Sequence, residues 1–486
     1  MTTSKRITSN SLILMTAELS ARLMRLVLVI CAARMLGALD YGKFSFALAF
    51  NSLFLILMDW GVHQLAVREI ARKPDMVQKY IGNALILKIT SIILTVLLIF
   101  TIISVSGKSY DVVLVVFLLS LSFSLNSFSE LFKSVFQAFE EMKYDAYSTW
   151  IGNLLTTILG VLILIFSKNI IHLSFAYLIA SLLNFFYCYF VITEKFTKIR
   201  MKIDLELMKF MFREGFPFGI LFFFAMLYTY IDTVMLSFMK GDEVVGWYNA
   251  AYRLVFAVLF IPRATMKAVF PALSRYYKTS MKSFNDLFQM SFKIMLILGL
   301  PLSFAITLFA DKIILLIYDQ QYLNSIKALQ ILIWSSGLVF VTTVLTHTTR
   351  SADRQKFTAK IVAIGAFVNV VLNLILIHFF SYIGAAVATI VTQLFTLIAH
   401  LVYVSKSLQK IPISKLFFKM VIVNVIIGLV VLFIKDFNWI LAVFAGIAVY
   451  VPMLIVTKYF SKNEFKQFMD IFVTFKIRAN KLQSKA

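Results

Sequence analysis

Apolar runs, each about 20 residues long, recur from Ser11 to Lys458, and a helix of that length crosses a hydrocarbon core about 30 Å thick. A segment inside lipid must satisfy its backbone polar groups internally. The runs are therefore read as helices, because they lack the alternating polarity of barrel strands. With 60% hydrophobic residues, 49 Phe and 15% charged residues over 486 positions, too little polar side chain remains to clothe a water-soluble globule. The expectation is an all-α, polytopic membrane protein of about 14 transmembrane helices, placed at 11–36, 44–66, 80–105, 111–136, 146–166, 170–193, 215–239, 246–271, 286–310, 326–349, 357–380, 382–405, 414–434 and 438–458. The first run is kept as a span rather than a cleaved export signal, since it is long, carries Arg22 and Arg25 and lacks a small-residue cleavage site. Cys31 and Cys188 fall inside spans without metal-ligand spacing and are read as packing residues.

A formal net charge of +23 raises the question of a nucleic-acid partner. The placement of the charges answers it. Basic residues gather at alternate connections: Lys5/Arg6, Arg68/Arg72/Lys73/Lys79, Lys133/Lys143, the stretch Lys195 to Arg213, Arg275/Lys278/Lys282, Arg350/Arg354/Lys356/Lys360, Lys406/Lys410/Lys415 and the C-terminal tail. The opposite connections hold only Lys43, Lys108, Lys168, Lys240, Lys312 and Lys435. By the positive-inside rule both termini face the cytoplasm, the spans are even in number, and no nucleic acid is needed to explain the charge.

Two stretches resemble each other at an offset of roughly 204 residues: Leu36-Gly37-Ala38 to Ala47 echoes Lys240-Gly241-Asp242 to Ala251, each a Gly-containing turn leading into a span. Arg68-Glu69-Ile70-Ala71-Arg72-Lys73 falls opposite Pro271 to Lys278, and Lys143-Tyr144-Asp145-Ala146 opposite Lys356-Phe357-Thr358-Ala359. Two six-span units in the same orientation follow, related by an axis along the membrane normal. The expected organisation is an N-terminal bundle at 1–193, a basic amphipathic helix in the cytoplasmic headgroup layer at 194–214, a second bundle at 215–405, two further spans at 406–461 and a basic amphipathic cytoplasmic tail at 462–486.

Ionisable residues at bilayer depth carry the functional information, because each costs about 2.5–3.5 kcal/mol at a span centre. Glu18, Arg22 and Arg25 share one face of the first span at i, i+4, i+7 spacing, with both arginines near mid-membrane. Glu18 can neutralise Arg22, which leaves one cation over. A surplus guanidinium facing a chamber suits phosphate or uronic acid, whose paired oxygens its planar fork matches. Arg253 in span eight either faces that chamber or pairs with Asp232 in span seven. Asp59 and His63 form either a proton-responsive pair or a static inter-helix bond. No HExxH sequence or phosphate-binding loop occurs, so neither enzyme chemistry nor a cofactor is expected.

The stretches Gly215-Phe216-Pro217-Phe218-Gly219, Tyr230-Ile231-Asp232-Thr233-Val234-Met235-Leu236 and Val245-Gly246-Trp247-Tyr248-Asn249-Ala250-Ala251-Tyr252-Arg253-Leu254 resemble the polysaccharide flippases of the multidrug/oligosaccharidyl-lipid/polysaccharide exporter superfamily. Leu36-Gly37 to Ala47 and Asp59-Trp60-Gly61 to Ala71 are similar to its O-antigen and capsule repeat-unit translocases. One departure is visible after Ile313 to Tyr318, where the family often has Gly and this chain has Asp319. The resemblance implies a MATE-like V of two six-helix bundles with alternating access, in the cytoplasmic (inner) membrane. It also implies a polyprenyl-pyrophosphate-linked oligosaccharide as cargo, membrane lipids and polysaccharide polymerase and chain-length machinery as partners, and a cationic cavity that Arg22, Arg25 and Arg253 would supply. A peptidoglycan lipid-precursor flippase and a multidrug cation antiporter of the same fold are the alternatives. The antiporter would need an acidic cavity.

Overall fold

The computed structural model describes residues 3–408, 413–435, 437–457 and 459, so the tail expected at 462–486 lies outside the described residues. Fifteen α-helices and no strand occur among them: α1 Thr3–Asp59, α2 Val62–Arg72, α3 Val77–Val105, α4 Tyr110–Ala138, α5 Met142–Ser167, α6 Ile170–Lys195, α7 Leu205–Lys240, α8 Asp242–Val258, α9 Phe260–Thr279, α10 Met281–Leu308, α11 Ala310–Ile317, α12 Leu323–Ser351, α13 Gln355–Ser407, α14 Ile413–Lys435 and α15 Trp439–Val456. Eleven helical segments among the described residues are long and apolar enough to cross a membrane. One of these is α13, which runs for 53 residues through a kink at Ser381, while the 57-residue α1 is kinked at Gly37. At 1.5 Å per residue each is about 80 Å of helix, far more than one bilayer crossing needs.

Packing groups the described chain into two compact units, Met1–Ala257 with Ile314–Ala328 and Ala359–Thr392, and Val258–Ile313 with Leu329–Thr358 and Gln393–Ala486. The first has a core of Leu65, Ile70, Ile81, Phe132, Phe136 and Ile192, joined by Cys188, whose thiol lies 3.2 Å from the Ser148 hydroxyl. Both cysteines are free, as packing residues should be. In the second unit Met266, Phe284, Phe288, Phe292, Met295 and Phe340 interlock, and α14 lies against α15. There Tyr450 donates to the Ile297 carbonyl at 2.7 Å, removing a buried hydroxyl from lipid.

Inside the first unit the repeat becomes a physical contact. A Cβ on Gly42 would overlap the Asp242 carbonyl, and a Cβ on Gly246 would overlap the Ala38 carbonyl. The four positions correspond pairwise at the 204-residue offset, so each copy of the hairpin presses on its counterpart through the same pair of positions. Gly37 and Gly241, also equivalent, share one left-handed conformation with φ of 77° and 95°. The carbonyls of Ala33 and Ser237, again 204 apart, each accept a bond from elsewhere in the unit: Tyr322 hydroxyl at 2.8 Å and Lys108 ammonium at 2.9 Å. Lys108 also reaches Asp242 at 2.8 Å, and Arg34 donates to the Ile317 and Leu316 carbonyls.

Three sequence expectations change in detail. The second span does not run unbroken over 44–66, because Trp60 (φ 49°) and Gly61 (φ 75°) end α1 and restart the chain as α2. The break fits against α7, where a Cβ on Gly61 would overlap the Gly215 carbonyl. The basic linker is not one helix: residues 196–204 are non-helical and lie on α3, while Leu205 onward belongs to α7. Gln78 donates to the Lys198 carbonyl at 2.7 Å, Asp204 N–H to Asn83 at 2.8 Å, and Lys79 to the Asp204 carboxylate at 2.6 Å. Finally, Asp319 adopts the positive φ of 92° that suits Gly, its carboxylate accepting from Gln320 N–H at 2.6 Å.

Two outcomes follow. Gly42→Ala and Gly246→Ala are each expected to lower stability by about 3 kcal/mol in denaturant unfolding, whereas Gly107→Ala, facing open space, loses about 1 kcal/mol from its φ alone. Asp204 is held below the usual carboxylate range by the Leu207 N–H and then by Lys79. Its contribution is present above the unfolded pKa and lost as pH falls through the lowered folded value, so hydrogen exchange over 196–204 should rise on acidification.

Candidate functional site

In α1 the residues Ala21, Leu28 and Ala32 are buried against protein at helical spacing. Arg22 is half-buried and Arg25 exposed on the same helix, with Glu18 exposed one turn earlier. Glu18 and Arg22 are engaged with other groups, whereas Arg25 makes no ion pair among the described residues. Arg25 lies within electrostatic reach of Arg22, Arg253, Tyr177 and Tyr230. The three arginines singled out from sequence thus share one neighbourhood with Tyr177 and Tyr230.

Arg253 does not pair with Asp232. Its guanidinium faces Tyr41, and Arg253 Nε and the Tyr41 hydroxyl are enclosed without a regular hydrogen bond, lining one small cavity together with Tyr177 and Ser45. Asp232, 3% exposed, is instead caged by uncharged donors: Tyr248 hydroxyl, Thr389 hydroxyl and Asn373 amide, each at 2.7 Å. The carbonyl oxygen of the Asn373 side chain is buried there with no partner. Three elements, α7, α8 and α13, converge on this one carboxylate.

Asp59 and His63 do meet in one place, but not as a helical i, i+4 pair, since the Trp60-Gly61 break separates them. Each has a different partner. Asp59 binds the ammonium of Lys88 at 2.5 Å, and Lys88, 1% exposed, also donates to the Ser127 hydroxyl at 2.6 Å and carbonyl at 2.7 Å. His63 Nδ1 is 2.7 Å from the Glu130 carbonyl. A carbonyl only accepts, so Nδ1 carries the proton and Nε2 is left for other contacts. Glu130 pairs with Lys133 at 2.8 Å, and Lys133 continues to Asp145 at 3.0 Å and Thr149 at 3.2 Å. Asp145 in turn accepts from Gln137 at 2.8 Å.

Of these groups Asp59, His63, Lys88, Ser127 and Glu130 edge an open chamber of about 350 Å³ within the first unit, walled by α1, α2, α3, α4 and α7. Lys88, Glu130 and Asp145 were missed by the sequence reading, and Lys133 was counted as a loop charge. The signal for Lys88 was available: it stands eleven residues into α3 among Leu and Ile. Glu130 and Lys133 both fall inside the span placed at 111–136, in the last turns of α4 before Ala138, yet were not weighed as charges at depth.

Removing one member of the Lys88–Asp59 pair strands the other. Lys88→Met or Asp59→Leu alone is expected to lower stability by about 3 kcal/mol in denaturant unfolding, and the double variant to regain most of it.

Comparison with known proteins places this geometry. A family model described as polysaccharide biosynthesis protein matches residues 7–277, and a second, MatE, matches residues 217–375. An uncharacterized membrane protein of Methanocaldococcus jannaschii is 25% identical over 86% of this chain and 88% of its own length. A putative O-antigen transporter of Shigella dysenteriae is 24% identical over 70% of this chain and 85% of its own. Among solved structures, the lipid II flippase MurJ in an inward closed conformation superposes with a TM-score of 0.79 at 17% identity, covering 92% of this chain and 99% of that one. The first model alone covers more than half of the sequence, and the chain belongs to the polysaccharide biosynthesis protein family, among the flippases of the multidrug/oligosaccharidyl-lipid/polysaccharide exporter superfamily.

Proposed function

We propose that the protein is a flippase that carries a polyprenyl-pyrophosphate-linked oligosaccharide repeat unit across the cytoplasmic membrane for surface polysaccharide assembly. The observation that carries this reading is Arg25, exposed at bilayer depth without an ion pair and grouped with Arg22 and Arg253. An unbalanced guanidinium there is stabilised by an anion that arrives and leaves. Diphosphate offers paired oxygens for the guanidinium fork. A multidrug cation would be repelled by the same group.

The accompanying architecture is fourteen spans, with α1 and α13 each crossing twice, both termini in the cytoplasm and two six-span halves at 1–193 and 215–405 that rock about their shared contact. Coupling is assigned to Asp232, whose carboxyl group is met by hydroxyl and amide donors instead of a cation. Polymerase and chain-length machinery would receive the flipped unit on the far side.

The test follows a labelled lipid-linked sugar in inverted vesicles. Arg22→Ala with Arg25→Ala is expected to slow translocation at least tenfold, the loss of about 1.5–3 kcal/mol for a charge-assisted contact. Translocation at the original rate would remove the arginines from the substrate path.

A further inference from the structure

The chamber beside Asp59 is not another anion site. Its one ammonium group, Lys88, is already matched by Asp59, so no cation is left over to attract phosphate. Yet it is not a dry void. Gln64, Asn126 and Glu130 are exposed there, about 12 Å or more before the C-terminal ends of α2 and α4 at 1.5 Å per residue, a depth at which polar side chains cannot face acyl chains cheaply.

The lining has two kinds of surface. Phe218 and Phe222 stand one turn apart on α7, and Phe123 on α4 lies one turn before Asn126. Between them are polar groups with capacity to spare: the Gln64 amide, which makes no hydrogen bond among the described residues, His63 Nε2, and the Asn126 side-chain oxygen, whose amide nitrogen is spent on Ser181 at 3.0 Å. A pyranose ring has the complementary make-up, with an apolar C–H face for an aromatic wall and neighbouring hydroxyls that both donate and accept. At about 350 Å³ the chamber is within the range of small-molecule sites.

We propose that this chamber is the saccharide subsite, taking one or two uncharged, hydroxyl-rich sugar rings of the cargo while the arginine face takes the diphosphate. This rests on the flippase reading above, and divides recognition into two places of opposite electrostatic character. Gln64 and Asn126 are specificity-determining contacts. Their loss lowers affinity for the sugar without touching the anion.

The experiment measures binding to the full-length protein in nanodiscs with two probes, farnesyl diphosphate and farnesyl diphosphate bearing one N-acetylglucosamine. Gln64→Ala and Asn126→Ala are expected to weaken the sugar-bearing probe about tenfold each and leave the bare diphosphate unchanged, in line with the loss of a hydrogen bond or two. Both residues are exposed, and Ser181 keeps its 2.6 Å bond to Ser122 when Asn126 is removed, so the variants should fold. Phe222→Leu supplies a third, milder change with the same expected selectivity. Arg22→Ala with Arg25→Ala should weaken both probes equally. If it weakens neither while Gln64→Ala still selects against the sugar, the anion assignment falls and the saccharide subsite stands. Equal effects of the chamber variants on both probes, no effect on either, or a greater loss for tetraphenylphosphonium than for the sugar would overturn the proposal.

Discussion

The first unit is organised around a place where two backbones touch with no side chain between them. Gly42 meets the carbonyl of residue 242, and Gly246 meets the carbonyl of residue 38. Lipid gives helices no hydrophobic reason to associate, so close approach through small residues and the hydrogen bonds it permits must do that work. The bonds are present on both sides of the crossing, from Lys108 to Ser237 and Asp242 and from Tyr322 to Ala33. Remove the clearance at the glycines and these donors lose their reach.

Polar groups inside the unit are treated in three distinct ways. At Lys88 and Asp59, and along Glu130, Lys133 and Asp145, charge is cancelled locally by ion pairs. At Asp232 the carboxyl group is met by neutral donors from two neighbouring helices. At Arg25 neither device is used. In a low-dielectric setting these are very different investments, and the difference separates groups that hold the fold from those available to cargo.

Much of this was legible in the sequence because membrane constraints are blunt. Span length, the asymmetry of Lys and Arg, and the Leu36–Ala47 and Lys240–Ala251 repeat all reflect rules that act on single segments. What escaped depends on the chain's path in three dimensions. The i, i+4 relation of Asp59 and His63 presupposed a continuous helix, and only the approach of Gly215 on α7 explains why the chain breaks at Trp60-Gly61. Arg253 and Asp232 are both in the same halves of neighbouring spans, yet a rotation of each helix turns one to Tyr41 and the other to Tyr248. Lys133 was counted with the loop charges although it lies within its span, and only the fold shows Glu130 and Asp145 meeting it.

The reciprocal glycine crossing also bears on how such chains change over time. What it holds constant is the absence of a side chain at two sites, each filled instead by a main-chain carbonyl, together with the course of the main chain past them. That requirement restricts four positions and leaves the identity of almost every surrounding side chain unspecified. A fold fixed by so few positions can be written with many sequences, and this backbone does overlay a solved structure of the same fold while only 17% of the letters agree.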